Sequence, residues 1–150
     1  MTDVEYMREA IAEAKKAAEI GEVPVGAVIV KGGEIIARAH NERETGKDAT
    51  RHAEIIAIEK ACKKLGGWRL IGCDMYVTLE PCPMCAGALV NSRMVRVIYG
   101  AKDLRAGAFG SVLDLNAYPL NHKPEIKGGV LEDECLFPIR EFFLKKRVGE

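Results

Sequence analysis

Asp74-Met75-Tyr76-Val77-Thr78-Leu79-Glu80-Pro81-Cys82-Pro83-Met84-Cys85-Ala86-Gly87-Ala88-Leu89-Val90 is the stretch on which the fold turns. Asp74 to Leu79 is rich in apolar, aromatic and β-branched residues and reads as a strand. The strand ends at Pro81. Pro83 suits the first turn of a helix, where a missing N–H costs nothing. Met84 to Val90 then reads as a short buried helix, and Met94 to Tyr99, nearly all apolar, as another strand. Strand, helix and strand in succession form a βαβ unit, which requires parallel pairing.

Upstream, Val25 to Val30 is almost wholly apolar and reads as a strand buried on both faces. Lys31-Gly32-Gly33 is a turn, and Glu34 to His40 returns as the second strand of a hairpin. Residues 5–20 place Met7, Ile11, Ala14 and Ala18 on one face, so they predict an amphipathic helix, with Gly21 where a C-terminal cap belongs. Ala53 to Leu65 reads as a helix closed by Gly66-Gly67. Glu132 to Arg147 is the last helix. Residues 101–122 are irregular and rich in Gly, and a loop that long in a compact domain is usually functional. The expected architecture is a mixed sheet, antiparallel at one edge and parallel later, with helices on both faces.

The chain has 150 residues, which predicts one domain over 1–150. Hydrophobic content of 48% and charged content of 29% are ordinary for a soluble globular protein. No apolar run approaches a membrane span, and Met1-Thr2-Asp3-Val4-Glu5 lacks the features of a signal peptide. Five cysteines, an odd number, point to free thiols in a reducing compartment, hence a cytoplasmic location. Cys62, Cys73 and Cys135 are expected as small buried core residues. Zero formal net charge argues against a general polyanion binder but leaves room for a local basic patch.

Two short motifs carry chemistry: His52-Ala53-Glu54 and Pro81-Cys82-Pro83-Met84-Cys85. They supply one imidazole, two thiols and one carboxylate. A catalytic zinc site needs three protein ligands, an open fourth position and an acid/base. Cys82 and Cys85 stand one helical turn apart, so both sulfurs can face one metal. Both would lie at a helix N-terminus, where unpaired N–H groups favour thiolate. His52 likewise precedes a helical run. Glu54 is too close to His52 to bind the same ion comfortably, and suits proton transfer instead. A structural zinc site would need a fourth ligand at a matching spacing. His40, Cys62, Cys73, His122 and Cys135 form no second C-x-x-C or H-x₃₋₅-H. A redox pair would leave His52-Ala53-Glu54 unexplained.

The H-x-E and P-C-x-x-C pattern resembles the cytidine-deaminase-like zinc deaminases, which act on bases. Within them the chain is most similar to the bacterial branch that converts adenosine to inosine at the wobble position of tRNA. That narrower likeness rests on Glu22 to Val28, His52 to Ile55, Tyr76 to Ala88, Gly100 to Asp103, Gly107 to Ser111, Asn121 to Lys123, Glu134-Cys135 and Phe142-Phe143. The resemblance implies a three-layer α/β/α fold with a five-stranded mixed sheet, and one Zn²⁺ per chain held by His52, Cys82 and Cys85. It implies that Glu54 shuttles protons and that Asn41 hydrogen-bonds the flipped base, with Val23 and Leu79 as apolar walls. It places Lys102 and Asp103 near the ribose and phosphate, and Phe143 with Lys145-Lys146-Arg147 near an anticodon stem-loop. It also implies a homodimer.

Each of these outer residues has a plainer reading on the sequence alone. Asn41 is also a turn residue, Lys102-Asp103 a solvated loop, and Lys145-Lys146-Arg147 a favourable charge placement at a helix C-terminus. Met84 to Val90 could be core or dimer face. Lys102 stands where the family leads one to expect Arg. The expected reaction is hydrolytic attack at C6 of adenine, with Glu54 protonating N1 and then helping ammonia leave. The competing readings are a guanine deaminase of the same superfamily and a zinc-stabilised RNA-binding module without catalysis. A nucleoside cytidine deaminase usually presents Cys where His52 stands, and a riboflavin-pathway deaminase usually carries a longer insertion between its cysteines.

Overall fold

The computed structural model describes residues 1–148; residues 149–150, the end of the expected domain, lie outside them. In chain order the elements are α1 (Asp3–Glu19), β1 (Gly26–Lys31), β2 (Glu34–His40), α2 (Ala53–Leu65), β3 (Cys73–Leu79), α3 (Pro83–Asn91), β4 (Arg96–Ala101), β5 (Glu125–Lys127) and α4 (Glu132–Val148). A single 3₁₀ turn, Leu115–Ala117, interrupts the long loop before β5.

The five strands form one sheet in the order β2-β1-β3-β4-β5. β1 runs antiparallel to both β2 and β3, whereas β3 to β4 and β4 to β5 are parallel. The hairpin turns at Gly32 and Gly33, whose φ values of 57° and 78° suit the turn that matches strand twist. The βαβ unit is the one the sequence leads one to expect.

Alternation along the strands divides the core into two layers. Ala27, Ile29, Met75, Val77 and Val97 pack against Ala53, Ile56 and Ala57 of α2 and Ala86 and Leu89 of α3. Val28, Val30, Tyr76 and Ile98 face the opposite way, against Tyr6, Met7, Ala10 and Ile11 of α1 and Cys135 of α4. Helices therefore cover both faces, giving the three-layer α/β/α fold. No helix among the described residues is long and apolar enough to cross a membrane.

Several expectations need correction. The buried face of α1 runs through Met7, Ala10, Ile11, Ala14 and Ala17; Ala18 is exposed. Ala18 keeps the same helical face as Met7, Ile11 and Ala14, but it stands in the last turn of α1, outside both core clusters, and so stays exposed. α1 also begins at Asp3, because Thr2 and Glu5 form a capping box that starts the helix before its first apolar residue. β4 begins at Arg96, not Met94. Arg93 has φ 65°, and the Met94 amide still bonds to Leu89 O of the preceding helix, so the chain is turning there. Cys73 and Cys135 are buried as expected, but Cys62 is only partly so.

α1 is tied to the sheet by Asp3. Its carboxylate accepts from Tyr76 Oη at 2.6 Å, Lys127 Nζ at 2.9 Å and Arg96 Nη2 at 3.1 Å. Burial by itself would raise the Asp3 pKa, but these three donors outweigh it and hold it at about 2. A depressed folded pKa means stability that is present above the ordinary value of 3.8 and lost as pH falls through about 2. Asp3→Asn is expected to lose about 1–2 kcal/mol at pH 7, with the gap from wild type closing towards pH 2. Urea melts across that pH range check this; a gap independent of pH would contradict it.

Candidate active site

All the chemistry-bearing residues of the two motifs arrive at one end of the sheet. β3 delivers Leu79 and Glu80 at its C-terminal end, and β1 begins beside them because it runs the opposite way. β2 ends at His40, directly before Asn41. Ligand sites of open α/β sheets form at the carboxyl ends of the parallel strands, and this one does too.

His52 is the N-cap of α2 and Cys82 the N-cap of α3. Both have extended backbone, with φ/ψ of −75°/155° and −74°/173°, and neither side chain makes a capping hydrogen bond. The side chains are thus free to face one another. His52 Nδ1 lies 3.6 Å from Cys82 Sγ and 3.5 Å from Cys85 Sγ. The three donor atoms all lie within 4.8 Å of one another, and among the described residues no other His, Cys, Asp or Glu group is gathered in this way. A tetrahedral ion with metal–N near 2.0–2.1 Å and metal–S near 2.3 Å sets its N and S ligands roughly 3.5 Å apart. The donor set and its spacing therefore fit a tetrahedral metal that prefers nitrogen and sulfur.

The protons of this cluster are unevenly shared. Hydrogen bonding from Cys85 pulls the Cys82 thiol down to about 4, despite burial, so Cys82 is the thiolate. The same bond, together with burial and the nearby Glu54 charge, pushes Cys85 up. Hydrogen bonding to Cys82 raises His52. Glu54 sits in the first turn of α2, almost fully buried, and burial pushes its carboxyl up to about 7. It lies beside the three donors, not among them, at a pKa that suits moving protons near neutral pH.

A cavity of about 140 Å³ opens on this cluster, lined by Val23, Val25, Asn41, Arg43, His52, Ala53, Glu54, Leu79, Glu80, Cys82 and Asp103. Pockets for drug-sized ligands run to roughly 300–1,000 Å³, so this one suits a single ring system. Val23 and Leu79 are apolar lining residues of this cavity. Asn41 is both the turn residue and the cavity residue. Its Oδ1 accepts from Arg43 N at 3.1 Å and its Nδ2 donates to Val23 O at 3.3 Å. That leaves one N–H and one lone pair for a ligand. Asp103 lines the cavity too, whereas Lys102 is exposed and outside the lining. Phe143 is 45% exposed on α4, also away from the cavity, and the structure does not bring it to the cluster.

Three residues were not singled out by their sequence pattern. Arg43 and Glu80 line the cavity, and Glu22 is fully buried behind the 41–46 segment. The donors to Glu22 and Glu80 are distant in sequence, and the Arg43 side chain pairs with its neighbour Glu44, so no motif spacing marks any of the three. The one available signal was a carboxylate at each end of an apolar strand: Glu22 before Val25–Val30, and Glu80 directly after Leu79.

Together the fold and the cluster define a metal-site hydrolase of the cytidine-deaminase-like class. The chain belongs to the MafB19-like deaminase family, whose model matches residues 1–143, and within it to the tRNA-specific adenosine deaminases. It is 55% identical over 143 residues to the tRNA-specific adenosine deaminase of Bacillus subtilis, covering 95% of this chain and 89% of that one. A solved structure of a tRNA:A34 deaminase matches with TM-score 0.87 at 44% identity, over 89% of this chain and 98% of that one. The guanine deaminase of Bacillus subtilis is also similar, with TM-score 0.65 and 31% identity, over 96% and 95% of the two chains.

Zinc titrated into metal-free protein is expected to saturate at one ion per chain, release protons and raise Tm. Cys85→Ser should abolish tight binding. Glu54→Gln should keep the stoichiometry, as checked by metal analysis after dialysis; loss in Glu54→Gln would make Glu54 a ligand.

Proposed function

We propose that this enzyme hydrolyses adenosine to inosine at the wobble position of a tRNA anticodon loop, with one zinc per chain held by His52, Cys82 and Cys85. The observation that carries the reading is the convergence of His52, Cys82, Glu54 and Asn41 on one cavity sized for a single ring system, with buried Cys85 completing the donor cluster behind it. Zinc bound there supplies a Lewis acid that brings the pKa of water down to roughly 7.

The protein's own groups do the remaining work. Glu54 takes the proton from the attacking water, passes it to N1 of adenine, and then assists departure of the C6 amine as ammonia. Water and adenosine give inosine and ammonia, with no other reactant. The Asn41 amide retains one donor and one acceptor for the purine edge. Val23, Val25 and Leu79 hold the ring faces and exclude water. Asp103 borders the cavity where the sugar of the flipped nucleotide leaves it. A target in a single-stranded loop is favoured because unstacking is cheapest there.

Lys145, Lys146 and Arg147 are exposed in the last turn of α4, next to the exposed Phe143, and provide phosphate contacts for the stem. Leu104, Val112 and Met84 are exposed apolar side chains around the site end, which supports a homodimer. Free thiols throughout support a cytoplasmic location.

The test is a deamination assay on an anticodon stem-loop with adenosine at the wobble position, beside free guanine, adenosine and cytidine. Inosine should form in the stem-loop, and Glu54→Ala should lower the rate about a thousandfold or more while retaining zinc. Ammonia from guanine with an untouched stem-loop would instead make this a guanine deaminase, the class of the 31% identical neighbour. Lys145→Ala/Lys146→Ala should weaken stem-loop binding and reduce the salt slope by about 2; an unchanged slope would leave these lysines as helix-terminal charges.

A further inference from the structure

Glu80 is a buried carboxylate for which the deamination chemistry has no use. It is 2% exposed, at the end of β3 and two residues before Cys82. Its two oxygens are fully occupied by donors from one loop. Oε1 accepts from Asp103 N at 3.2 Å and from the Ser111 hydroxyl. Oε2 accepts from Phe109 N at 3.0 Å and Ser111 N at 3.1 Å. The loop is moulded around it: a Cβ at Gly107 would stand 2.4 Å from Glu80 Cδ and 2.5 Å from each oxygen. Residues 102–111 have almost no ladder of their own, so these amides need an acceptor supplied from elsewhere.

The loop carries Asp103 to the cavity. Asp103 Oδ1 accepts from Arg105 N at 3.0 Å and Ala106 N at 3.2 Å, a local turn that fixes the side chain relative to its own backbone. Main-chain bonds from Glu80 N to Ala101 O at 2.8 Å and from Ala108 N to Pro81 O at 2.9 Å hold the segment on either side of Asp103, and the bond from Asp103 N–H to Glu80 Oε1 ties the Asp103 amide itself.

We propose that Glu80 is a positioning residue for substrate binding: its carboxylate anchors the Asp103 main chain and thereby sets where the Asp103 side chain meets the sugar of the target nucleotide. The inference rests on the proposed RNA reading for the role of Asp103, and on the hydrogen bonds alone for the anchoring.

The carboxylate is required in a specific way. In Glu80→Gln the amide oxygen can still take Phe109 N–H and Ser111 N–H, and the new NH₂ can donate to the Ser111 hydroxyl oxygen. One partner is left over: the Asp103 N–H would face another N–H. Glu80→Gln therefore removes the Asp103 anchor and spares the rest.

The experiment compares wild type, Glu80→Gln, Asp103→Asn and the double variant, all zinc-loaded, on the anticodon stem-loop. Glu80→Gln should raise KM about tenfold with kcat within about threefold, and leave the pH profile and zinc content unchanged. Its effect on KM should largely vanish in the Asp103→Asn background, because the two act through one contact. Additive KM effects, an unchanged KM, or a kcat loss with a shifted pH profile would each overturn the proposal. If Glu80→Gln fails to fold, Glu80→Asp, whose shorter carboxylate cannot reach every donor, should show the same KM-only defect. Amide hydrogen exchange of residues 101–111 without substrate is the second readout, and Asp103 should exchange faster in Glu80→Gln. Should wild type leave the stem-loop untouched, the RNA reading fails on its own; unchanged exchange at Asp103 would then overturn the anchoring, and faster exchange would uphold it.

Discussion

The site depends on two helices beginning without a side-chain cap. An N-cap residue ordinarily folds its side chain back onto the first-turn amides, worth about 1 kcal/mol. His52 and Cys82 occupy N-cap positions with the usual extended backbone but forgo that bond. Their side chains reach across to each other instead, and Cys85 joins them from the first turn of α3. The uncapped amides at the start of α3 remain near Cys82, where they favour the thiolate. The forgone caps thus provide both the geometry of the donor cluster and the charge on Cys82.

That arrangement demands a rigid floor and adaptable walls. The floor is the sheet, with Val28, Ile29 and Val77 fully buried. The walls are loops, and loops lack the ladders that satisfy backbone amides. Two buried glutamates serve instead. Glu22 accepts from Glu44 N at 3.1 Å and Thr45 N at 2.6 Å, holding the segment that bears Asn41 and Arg43. Burial raises its pKa, but these amides and the Thr45 hydroxyl more than offset that, so it stays charged at neutral pH. Glu80 does the equivalent for the segment that bears Asp103. Each wall is hung from a carboxylate at a strand end, and the His52, Cys82 and Cys85 donors are left undisturbed between them.

The extent to which the sequence discloses this follows the range of each interaction. β2 and α2 fall on the expected residues, because alternation and a Gly66 stop are local signals. β5 has only Ile126 as an apolar residue within three, too little to read; its pairing depends on β4 lying alongside. His52, Glu54, Cys82 and Cys85 are legible because their chemistry is confined to spacings of two and three residues. Asn41, Val23, Leu79 and Asp103 are legible only through resemblance, since each reaches the cavity from a different element. Glu22 and Glu80 act on residues some twenty to thirty positions away. No periodicity encodes that, and a glutamate beside an apolar strand looks like ordinary surface.

The same range argument bears on substrate choice. A guanine deaminase shares this fold at 31% identity, so the scaffold by itself does not separate a free base from a nucleotide in RNA. Nor can the His52, Cys82 and Cys85 donors, since a metal they would hold meets, on the proposed reading, only the atoms at the reacting carbon. Discrimination must therefore come from groups that meet the rest of the substrate. On the proposed reading those are Asn41 and Arg43, from the segment after β2, as a first wall and Asp103, from the 102–111 loop, as a second. A free base needs the first wall only. A nucleotide in a chain also has a sugar and a phosphate leaving the cavity, so a fixed second wall adds binding for the polymer and nothing for the free base. The more firmly the 102–111 loop is held, the more of that extra contact survives as affinity, because the ordering cost falls in folding and not in binding.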